Sequence, residues 1–293
     1  MASPRRVTVR DLRKLRAAGQ KLAMVTCYDY ASARILDSTG VELILVGDSL
    51  GMVVLGLEDT IGVTMEHMIH HGAAVRRGTT RAMVVVDMPF LSYNVSDEQA
   101  LMNAGRLVQE GGAHGVKLEG GVEVASRVRT ITDSGLPVMG HLGMTPQSVH
   151  QKGGLRLQGT DEESVAKLLL DAEALERAGA FAIVLEAVPT EVAQLITSRC
   201  AVPTIGIGAG PHCDGQVLVL HDLLGLFPEF EPPFAKAFVD LHGAITAAVG
   251  TFRDQVRDGS FPDPGHSFAA PVALAPYLRA LQQGTRSQGD GGR

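Results

Sequence analysis

The chain has 293 residues, of which 45% are hydrophobic, and a formal net charge of −6. This composition predicts a well-buried core rather than a disordered chain, and the mild acidity without a basic block argues against nucleic acid as a partner. No apolar run approaches the roughly 18 residues of a membrane helix, and no secretory signal is recognisable, so we expect a cytoplasmic protein without a membrane partner.

A short helix is expected first, over residues 8–19, with Thr8 as its N-cap and Gly19 at its end. Eight strand-like runs follow, at 22–26, 42–47, 82–87, 114–118, 137–141, 180–185, 203–207 and 216–221. Helical patterns lie between most of these runs, at 29–40, 64–77, 96–111, 122–135, 161–179 and 191–199. Strands that alternate with helices of this length indicate parallel βαβ units, and eight such runs favour an α/β fold of the closed (β/α)8 TIM-barrel kind.

The same pattern predicts the domain organisation. We expect a flexible N-terminus at 1–7, a single barrel domain at 8–265, a C-terminal extension at 266–284 and a disordered tail at 285–293. An acidic, proline-rich turn at 227–234 and a helix at 235–256 follow the last strand. Two long glycine-rich connections, 49–63 and 143–160, follow the second and fifth strands; we interpret them as lids, the alternative being ordinary surface loops.

Three carboxylates stand at or just after the ends of successive strand-like runs, which is where α/β sheets build their sites. These residues are Asp48, Asp87 and Glu119. They would repel one another strongly unless a cation lay between them, and all-oxygen ligands favour Mg²⁺. For any one of them, a structural ion pair with an arginine or lysine is the alternative.

Further polar residues stand at the same strand ends. Lys117 lies two residues before Glu119 and therefore on the same inward face, where it can bind an anionic substrate group or, as a sharper alternative, form a Schiff base. Ser49 offers a hydroxyl and a backbone N–H to a bound carboxylate. Glu186, across the mouth from the metal residues, can act as a general base. His141 is either part of this site or a structural histidine at a strand end.

Three other features are assigned no chemistry. The cysteines, Cys27, Cys200 and Cys213, have no metal spacing and indicate free thiols in a reducing compartment, with a nucleophilic Cys27 as the minor alternative. The histidines at 67, 70 and 71 lack the glutamate of a zinc-protease helix and are interpreted as surface or interface residues. The segment Gly206-Ile-Gly208-Ala-Gly210 has only part of a dinucleotide-binding pattern.

Five motifs in this order give the chain a specific resemblance. They are Val-Gly-Asp48-Ser49-Leu-Gly, Val-Val-Asp87-Met-Pro-Phe, Val-Lys117-Leu-Glu119-Gly-Gly, Gly-His141-Leu-Gly-Met-Thr-Pro-Gln and Leu-Glu186-Ala-Val-Pro. From Thr8 to about Pro262 the chain resembles the ketopantoate hydroxymethyltransferase family. Two small departures, Ile61-Gly62 in place of Leu-Pro and His70 in place of Tyr, concern only local loop shape.

The resemblance implies a barrel of the phosphoenolpyruvate/isocitrate-lyase-like kind in a homo-oligomer of ten subunits. It implies Mg²⁺ ligated through Asp48, Asp87 and Glu119, with Glu186 as the proton acceptor. Substrate contacts are expected from the residues beside the metal, which are Asp48, Ser49, Asp87, Lys117 and His141. The implied reaction transfers a hydroxymethyl group from 5,10-methylenetetrahydrofolate to 3-methyl-2-oxobutanoate, which gives 2-dehydropantoate for pantothenate and coenzyme A synthesis.

Two rival functions stay open at this point. Another Mg²⁺-enolate enzyme of the same barrel type, a phosphonomutase or a lyase of small oxo-acids, would share the carboxylates. Such lyases typically use a reactive cysteine in the loop after the fifth strand, and residues 142–160 contain none, which favours the transferase. A non-enzymatic binding barrel is the third possibility, but it would not need Glu186 together with all three metal carboxylates.

Overall fold

The computed structural model describes residues 5–152, 154, 156–227 and 232–286. The chain divides into two compact units, Met1–Val239 and Asp240–Arg293. Part of the turn expected at 227–234, most of the tail expected from residue 285 and the first four residues of the expected N-terminal segment lie outside the described residues. The barrel boundary expected at 265 stays a prediction.

Eight parallel strands close into a barrel in sequence order, with β8 pairing to β1, which confirms the predicted fold. The strands are β1 Leu22–Thr26, β2 Leu43–Val46, β3 Met83–Asp87, β4 Gly115–Glu119, β5 Val138–Gly143, β6 Ala182–Glu186, β7 Thr204–Ile207 and β8 Gly215–Leu218. The last strand is shorter than the predicted 216–221 because the chain turns into a helix at Leu220, whose N–H donates to Thr26 Oγ1.

Helices separate most of these strands and pack around them. Those of the first unit are α1 Val9–Ala17, α2 Tyr30–Thr39, α3 Leu50–Val53, α4 Met65–Gly78, α5 Asp97–Gln109, α6 Ala125–Asp133, α7 Val149–Lys152, α8 Glu162–Arg177, α9 Thr190–Arg199 and α10 Leu220–Leu223. Single 3₁₀ turns, Val122–Val124 and Pro146–Ser148, precede α6 and α7. Side-chain caps begin several of them: Asp29 accepts from the N–H of Ser32 in α2, and Asp161 from that of Ser164 in α8.

Strand alternation divides the core into two clusters. Leu43 and Leu45 of β2 belong to the cluster inside the barrel, whereas Ile44 and Val46 belong to the cluster between the barrel and its helices. Leu12 of α1 also joins the interior cluster, so this helix contacts the interior side chains at one end of the barrel. The N–H of Val7 donates to Arg81 O just before β3, which places α1 at the amino-terminal end, away from the strand ends that carry the site.

The second unit contains α11 Leu241–Asp258 and α12 Ala275–Arg286, with 3₁₀ turns at Pro264–His266 and Val272–Leu274. Helix α11 begins later than the predicted residue 235 because Asp240 caps it by accepting from the N–H of Gly243. Its large apolar side chains at 245, 249, 252 and 256 are exposed. Within the part of the chain that the structure describes, no helix is both long and apolar enough to cross a membrane.

Candidate active site

The carboxyl ends of β2 to β6 bring the predicted site residues together. Asp87, Glu119 and Glu186 are the last residues of their strands, and Asp48 follows β2 by two residues. All except Glu186, which is partly exposed, are buried. Buried carboxylates are rare unless they are paired or hold a cation, so this cluster is a candidate site.

Lys117 faces the barrel interior, as strand alternation predicts. Its neighbours Val116 and Leu118 pack outward against the helices, which turns Lys117 and Glu119 to the inside. Lys117 Nζ lies 2.8 Å from Asp87 Oδ1, and both side chains are buried. Burial alone would lower the pKa of this lysine, but the carboxylates of Asp87, Glu119 and Asp48 raise it above its ordinary value. The amine is therefore a cation, which disfavours a Schiff base.

His141 joins the two sides of the cluster. Its Nδ1 lies 3.2 Å from Glu119 Oε1, and its Nε2 lies 3.0 Å from Glu186 Oε2. Burial and the charge of Lys117, whose Nζ is 3.3 Å from Nδ1, lower the pKa of His141, but the two glutamates outweigh them and raise it to about 9. The two carboxylates thus favour the protonated form of the imidazole that lies between them.

The surroundings of Asp48 disfavour its charged form. Its backbone N–H donates to Asp87 Oδ2 over 3.0 Å, which places the two carboxylates side by side. Burial, followed by the charges of Asp87 and Glu119, raises the pKa of Asp48 well above its ordinary value. A cation at this position would remove that repulsion.

Gln147, in the 3₁₀ turn after β5, holds this arrangement; it ends the motif Gly-His141-Leu-Gly-Met-Thr-Pro-Gln, but the sequence analysis assigned it no role. Its Nε2 donates to Asp48 Oδ2 over 2.8 Å and to Met88 O over 2.9 Å, and its backbone N–H donates to Glu119 Oε2 over 3.1 Å. Its Oε1 accepts from Tyr93 Oη over 2.6 Å. One amide therefore fixes groups that belong to β2, β3 and β4.

Tyr93 completes this network. Its hydroxyl donates to Gln147 and accepts from the backbone N–H of Glu119 over 3.2 Å, and the whole side chain is buried. Burial, together with the nearby carboxylates, raises the pKa of the phenol well above its ordinary value. Tyr93 therefore stays protonated and acts as a fixed donor to the amide.

Ser49 stands at the edge of the cluster. Its Oγ lies 2.9 Å from Tyr28 Oη, a contact that the sequence did not reveal. The nearby Cys27 is buried, and burial raises the pKa of its thiol to about 11, which argues against the minor alternative of a nucleophilic cysteine.

The backbone around Glu186 is tightly packed. Gly143 has φ of +90°, and a Cβ added there would come within 2.2 Å of Glu186 O, so no other residue fits. Ala187 has φ of +47°, an unfavourable value for a residue with a side chain, and hydrogen bonds to Ile207 O and from Gln158 N hold it there. Such conformations are concentrated at functional sites.

The donor set suits a hard divalent cation. Asp87 Oδ1 and Glu119 Oε1 are buried without a well-aligned hydrogen bond, although each lies near a cationic side chain. Among the described residues, no three or more His, Cys, Asp or Glu side chains are grouped so that they could hold a metal ion together. Mg²⁺ does not need such a group, because it usually takes one or two carboxylates and fills its shell with water and substrate oxygens. The ligand set of Asp48, Asp87 and Glu119 stays a prediction.

The fold is shared with several solved enzymes. A phosphonopyruvate hydrolase solved with oxalate and Mg²⁺ has a TM-score of 0.59 at 12% identity, with 97% of this chain and 98% of that chain covered. A 2,3-dimethylmalate lyase of the PEP mutase/isocitrate lyase superfamily has a TM-score of 0.57 at 18% identity, with 99% and 100% covered. At these identities the similarity establishes the barrel type alone.

Sequence relatives are much more similar. The 3-methyl-2-oxobutanoate hydroxymethyltransferase of Moorella thermoacetica is 56% identical over 92% of this chain and 100% of its own length. The enzyme of the same name from Geobacter metallireducens is 52% identical over 90% of this chain and 99% of its own. A family model described as ketopantoate hydroxymethyltransferase matches residues 6–264. The chain therefore belongs to the ketopantoate hydroxymethyltransferase family of transferases.

Proposed function

We propose that this protein transfers a hydroxymethyl group from 5,10-methylenetetrahydrofolate to 3-methyl-2-oxobutanoate in a Mg²⁺-dependent reaction that gives 2-dehydropantoate. The observation that carries the proposal is the buried cluster of Asp48, Asp87, Glu119, Lys117 and His141 at the barrel mouth, with Glu186 beside it. A 2-oxo acid is a small anion with adjacent oxygens, and this cluster offers cationic groups and a place for a divalent ion.

Asp48, Asp87 and Glu119 would hold the metal, one or two of them directly and the rest through water. When bound, Mg²⁺ would act as a Lewis acid on the 2-oxo acid and make the proton on its C3 easier to remove. Gln147 keeps Asp48 and Glu119 in position for this ion through its side chain and its backbone N–H. Lys117, a buried cation 2.8 Å from Asp87, balances the negative charge of the cluster and attracts the substrate carboxylate.

Glu186 is the residue that we assign as the base. It stands across the cluster from Asp48, at the end of β6, and it is more exposed than the other carboxylates. The neighbouring carboxylates favour the charged forms of His141 and Lys117, and Glu186 is the carboxylate that the proposed metal ligand set leaves free. The imidazole Nε2 of His141 lies 3.0 Å from Glu186 Oε2.

The subsequent bond formation follows from this proton transfer. The C3 proton passes to the Glu186 carboxylate, and the electron pair it leaves forms the enolate of the oxo acid. C3 then forms a bond to the one-carbon unit of the folate as the bond from that carbon to N10 breaks and N10 takes up a proton. Water supplies the hydroxyl group as the bond to N5 breaks and N5 takes the remaining proton, which leaves tetrahydrofolate. Ser49, held by Tyr28, offers its hydroxyl and backbone N–H to the substrate carboxylate.

Deuterium exchange tests the proposal directly. The purified protein is incubated in D₂O with Mg²⁺ and 3-methyl-2-oxobutanoate, and the C3 proton is followed by NMR. We expect exchange without folate and 2-dehydropantoate once 5,10-methylenetetrahydrofolate is added. Absence of both would refute the proposal, and cleavage of phosphonopyruvate or 2,3-dimethylmalate instead would favour the lyase and mutase alternatives.

The proposed setting is pantothenate and coenzyme A synthesis in the cytoplasm, by a homo-oligomer of ten subunits. Relatives with the transferase name and matching length support the pathway. The exposed apolar side chains of α11 support an assembly, because contiguous apolar surface in a single chain marks an interaction site.

A further inference from the structure

The barrel mouth changes character between its two sides. The ionisable cluster occupies the ends of β2 to β6, whereas the ends of β8 and β1 carry aromatic residues. Tyr28 follows β1 by two residues, His221 lies in α10 directly after β8, and Phe227 follows soon after. The whole chain has only four tyrosines, nine phenylalanines and no tryptophan, so this grouping is not a consequence of an aromatic-rich composition.

The three rings form a continuous row. The centroids of Tyr28 and His221 are 5.5 Å apart, and those of His221 and Phe227 are 5.7 Å apart with an interplanar angle of 15°. Exposure increases along the row: Tyr28 is buried, His221 is partly buried and Phe227 is 44% exposed. Phe227 is therefore the ring of this row that a ligand can reach, and His221 and Tyr28 support it.

The inner end of the row touches the proposed substrate site. Tyr28 Oη lies 2.9 Å from Ser49 Oγ, and Ser49 is the residue next to Asp48. The carbonyl of Tyr28 is itself fixed by His71 Nδ1 at 2.6 Å. A flat ligand that lies along the row would consequently extend from the exposed Phe227 towards Ser49.

A fourth ring lies over the neighbouring strand end. Phe234 packs on Gly208, which directly follows β7 and has φ of +63°. A Cβ at Gly208 would come within 2.8 Å of the Phe234 ring, so the glycine permits the close approach. This contact gives the partial dinucleotide pattern of the sequence a different role, since its central glycine accommodates an aromatic side chain and not a phosphate. Phe234 remains 37% exposed.

His221 is suited to stacking in its neutral form. Burial lowers the pKa of this imidazole, and the charge of Asp29, which raises it, is the smaller effect. Its Nδ1 is buried and has no hydrogen-bond partner among the described residues. A neutral imidazole between Tyr28 and Phe227 packs against both rings without burying a charge.

We propose that Phe227 and Phe234, supported by His221 and Tyr28, form the subsite that binds the pteridine and aminobenzoyl rings of the folate co-substrate. This inference rests on the proposed function, because it assigns a place to the one-carbon donor of that reaction. The donor is flat, largely aromatic and must bring its one-carbon unit to C3 of the oxo acid. The aromatic row meets these requirements, since it is exposed at one end and reaches Ser49 at the other.

The experiment separates folate binding from chemistry. Tetrahydrofolate is titrated by calorimetry into the wild-type protein and into Phe227→Ala and Phe234→Ala, each with Mg²⁺ and 3-methyl-2-oxobutanoate present. Each variant should weaken tetrahydrofolate binding by about tenfold, the usual order for loss of one stacked ring. Phe227→Tyr should restore most of the affinity. Phe268→Ala, which removes an exposed ring elsewhere, is the matched control and should bind normally.

Two readouts distinguish failure of this inference from failure of the proposed function. If the wild-type protein binds tetrahydrofolate but neither exchanges C3 nor forms 2-dehydropantoate, the proposed reaction is wrong and the titrations still test the subsite. Unchanged tetrahydrofolate affinity in both alanine variants would overturn the subsite. So would an equal loss of affinity for 3-methyl-2-oxobutanoate, because the rings would then serve the oxo acid. Thermal melting of each variant verifies that it is folded.

Discussion

Glu186 is the residue on which the proposed chemistry depends most. Glu186→Gln keeps the size and hydrogen bonding of the side chain but cannot accept the C3 proton. It should slow C3 exchange and turnover together by roughly 10²–10⁴-fold, the usual range for a positioned acid or base, with little change in substrate affinity. NMR exchange rates beside product assays provide the measurement. Normal exchange with lost turnover would move the role of Glu186 to a later step.

Asp48 allows the metal to be tested without any assay of activity. Asp48→Asn keeps an oxygen that can accept from Gln147 but removes the charge from the most strongly repelled carboxylate of the cluster. We expect Mn²⁺, used as a spectroscopic substitute for Mg²⁺, to bind at least about tenfold more weakly. Electron paramagnetic resonance of free Mn²⁺ measures this affinity. Asp133→Asn, which removes an exposed carboxylate, should change nothing, and equal affinity in both variants would exclude Asp48 as a ligand.

His114 makes stability depend on pH at a position distant from the site. Burial and the charges of Arg6 and Arg76 lower its pKa to about 4, below the value near 6.5 of an unfolded histidine. Between about pH 4 and pH 6.5, the unfolded chain therefore binds a proton at this histidine that the folded chain does not bind. The free energy of unfolding consequently falls as the pH drops from about 6.5 to about 4. The melting temperature of His114→Gln should fall less steeply with decreasing pH over this range than that of the wild type. Parallel curves for the two proteins would contradict the assignment.

At the scale of elements, the turn after β5 organises the site through Gln147. Gln147→Leu would leave Tyr93 Oη, Asp48 Oδ2 and Met88 O without this partner inside the protein. Each orphaned buried group costs about 1–3 kcal/mol, and each kcal/mol lowers the melting temperature of a chain of this size by about 2–4 °C. We expect a lower melting temperature and weaker Mn²⁺ binding. Gln109→Leu, at an exposed position, is the control. If Gln147→Leu had the same melting temperature as this control, the proposed role of Gln147 would be refuted.

The strands and their terminal residues could be predicted from the sequence, whereas this network could not. Buried parallel strands such as β3 must be apolar on both faces, so the ionisable Asp87 at its end was conspicuous. An amide in a turn, in contrast, has no periodicity and no charge, and its partners come from three separate elements. The start of α11 was misplaced for a related reason: helical composition extends before Asp240, but the cap decides where the helix begins.

The aromatic row also depends on tertiary structure that the sequence does not encode locally. Tyr28 and His221 are almost two hundred positions apart, and they become neighbours only because β8 pairs with β1 to close the barrel. Closure likewise joins Leu220 to Thr26 by a hydrogen bond. Eight strand-like runs predict a closed barrel as the class of fold. They do not predict which side chains become neighbours where β8 pairs with β1.

At the scale of the whole molecule, the exposed face of α11 predicts an assembly. Ile245, Val249, Phe252 and Val256 recur at helical spacing, and none of them is buried. A stripe of this kind is normally covered in a soluble protein, and in a homo-oligomer another copy of the chain covers it. The family resemblance implies ten subunits, so native mass spectrometry should find a species near ten times the 30.9 kDa chain mass. Phe252→Asp, which places a charge in the stripe, should shift the protein to smaller species, while Arg253→Asp, on the adjacent position, should not. A monomeric wild-type protein at micromolar concentration would contradict the assembly, and an intact decamer of Phe252→Asp would show that α11 is not the surface that holds it.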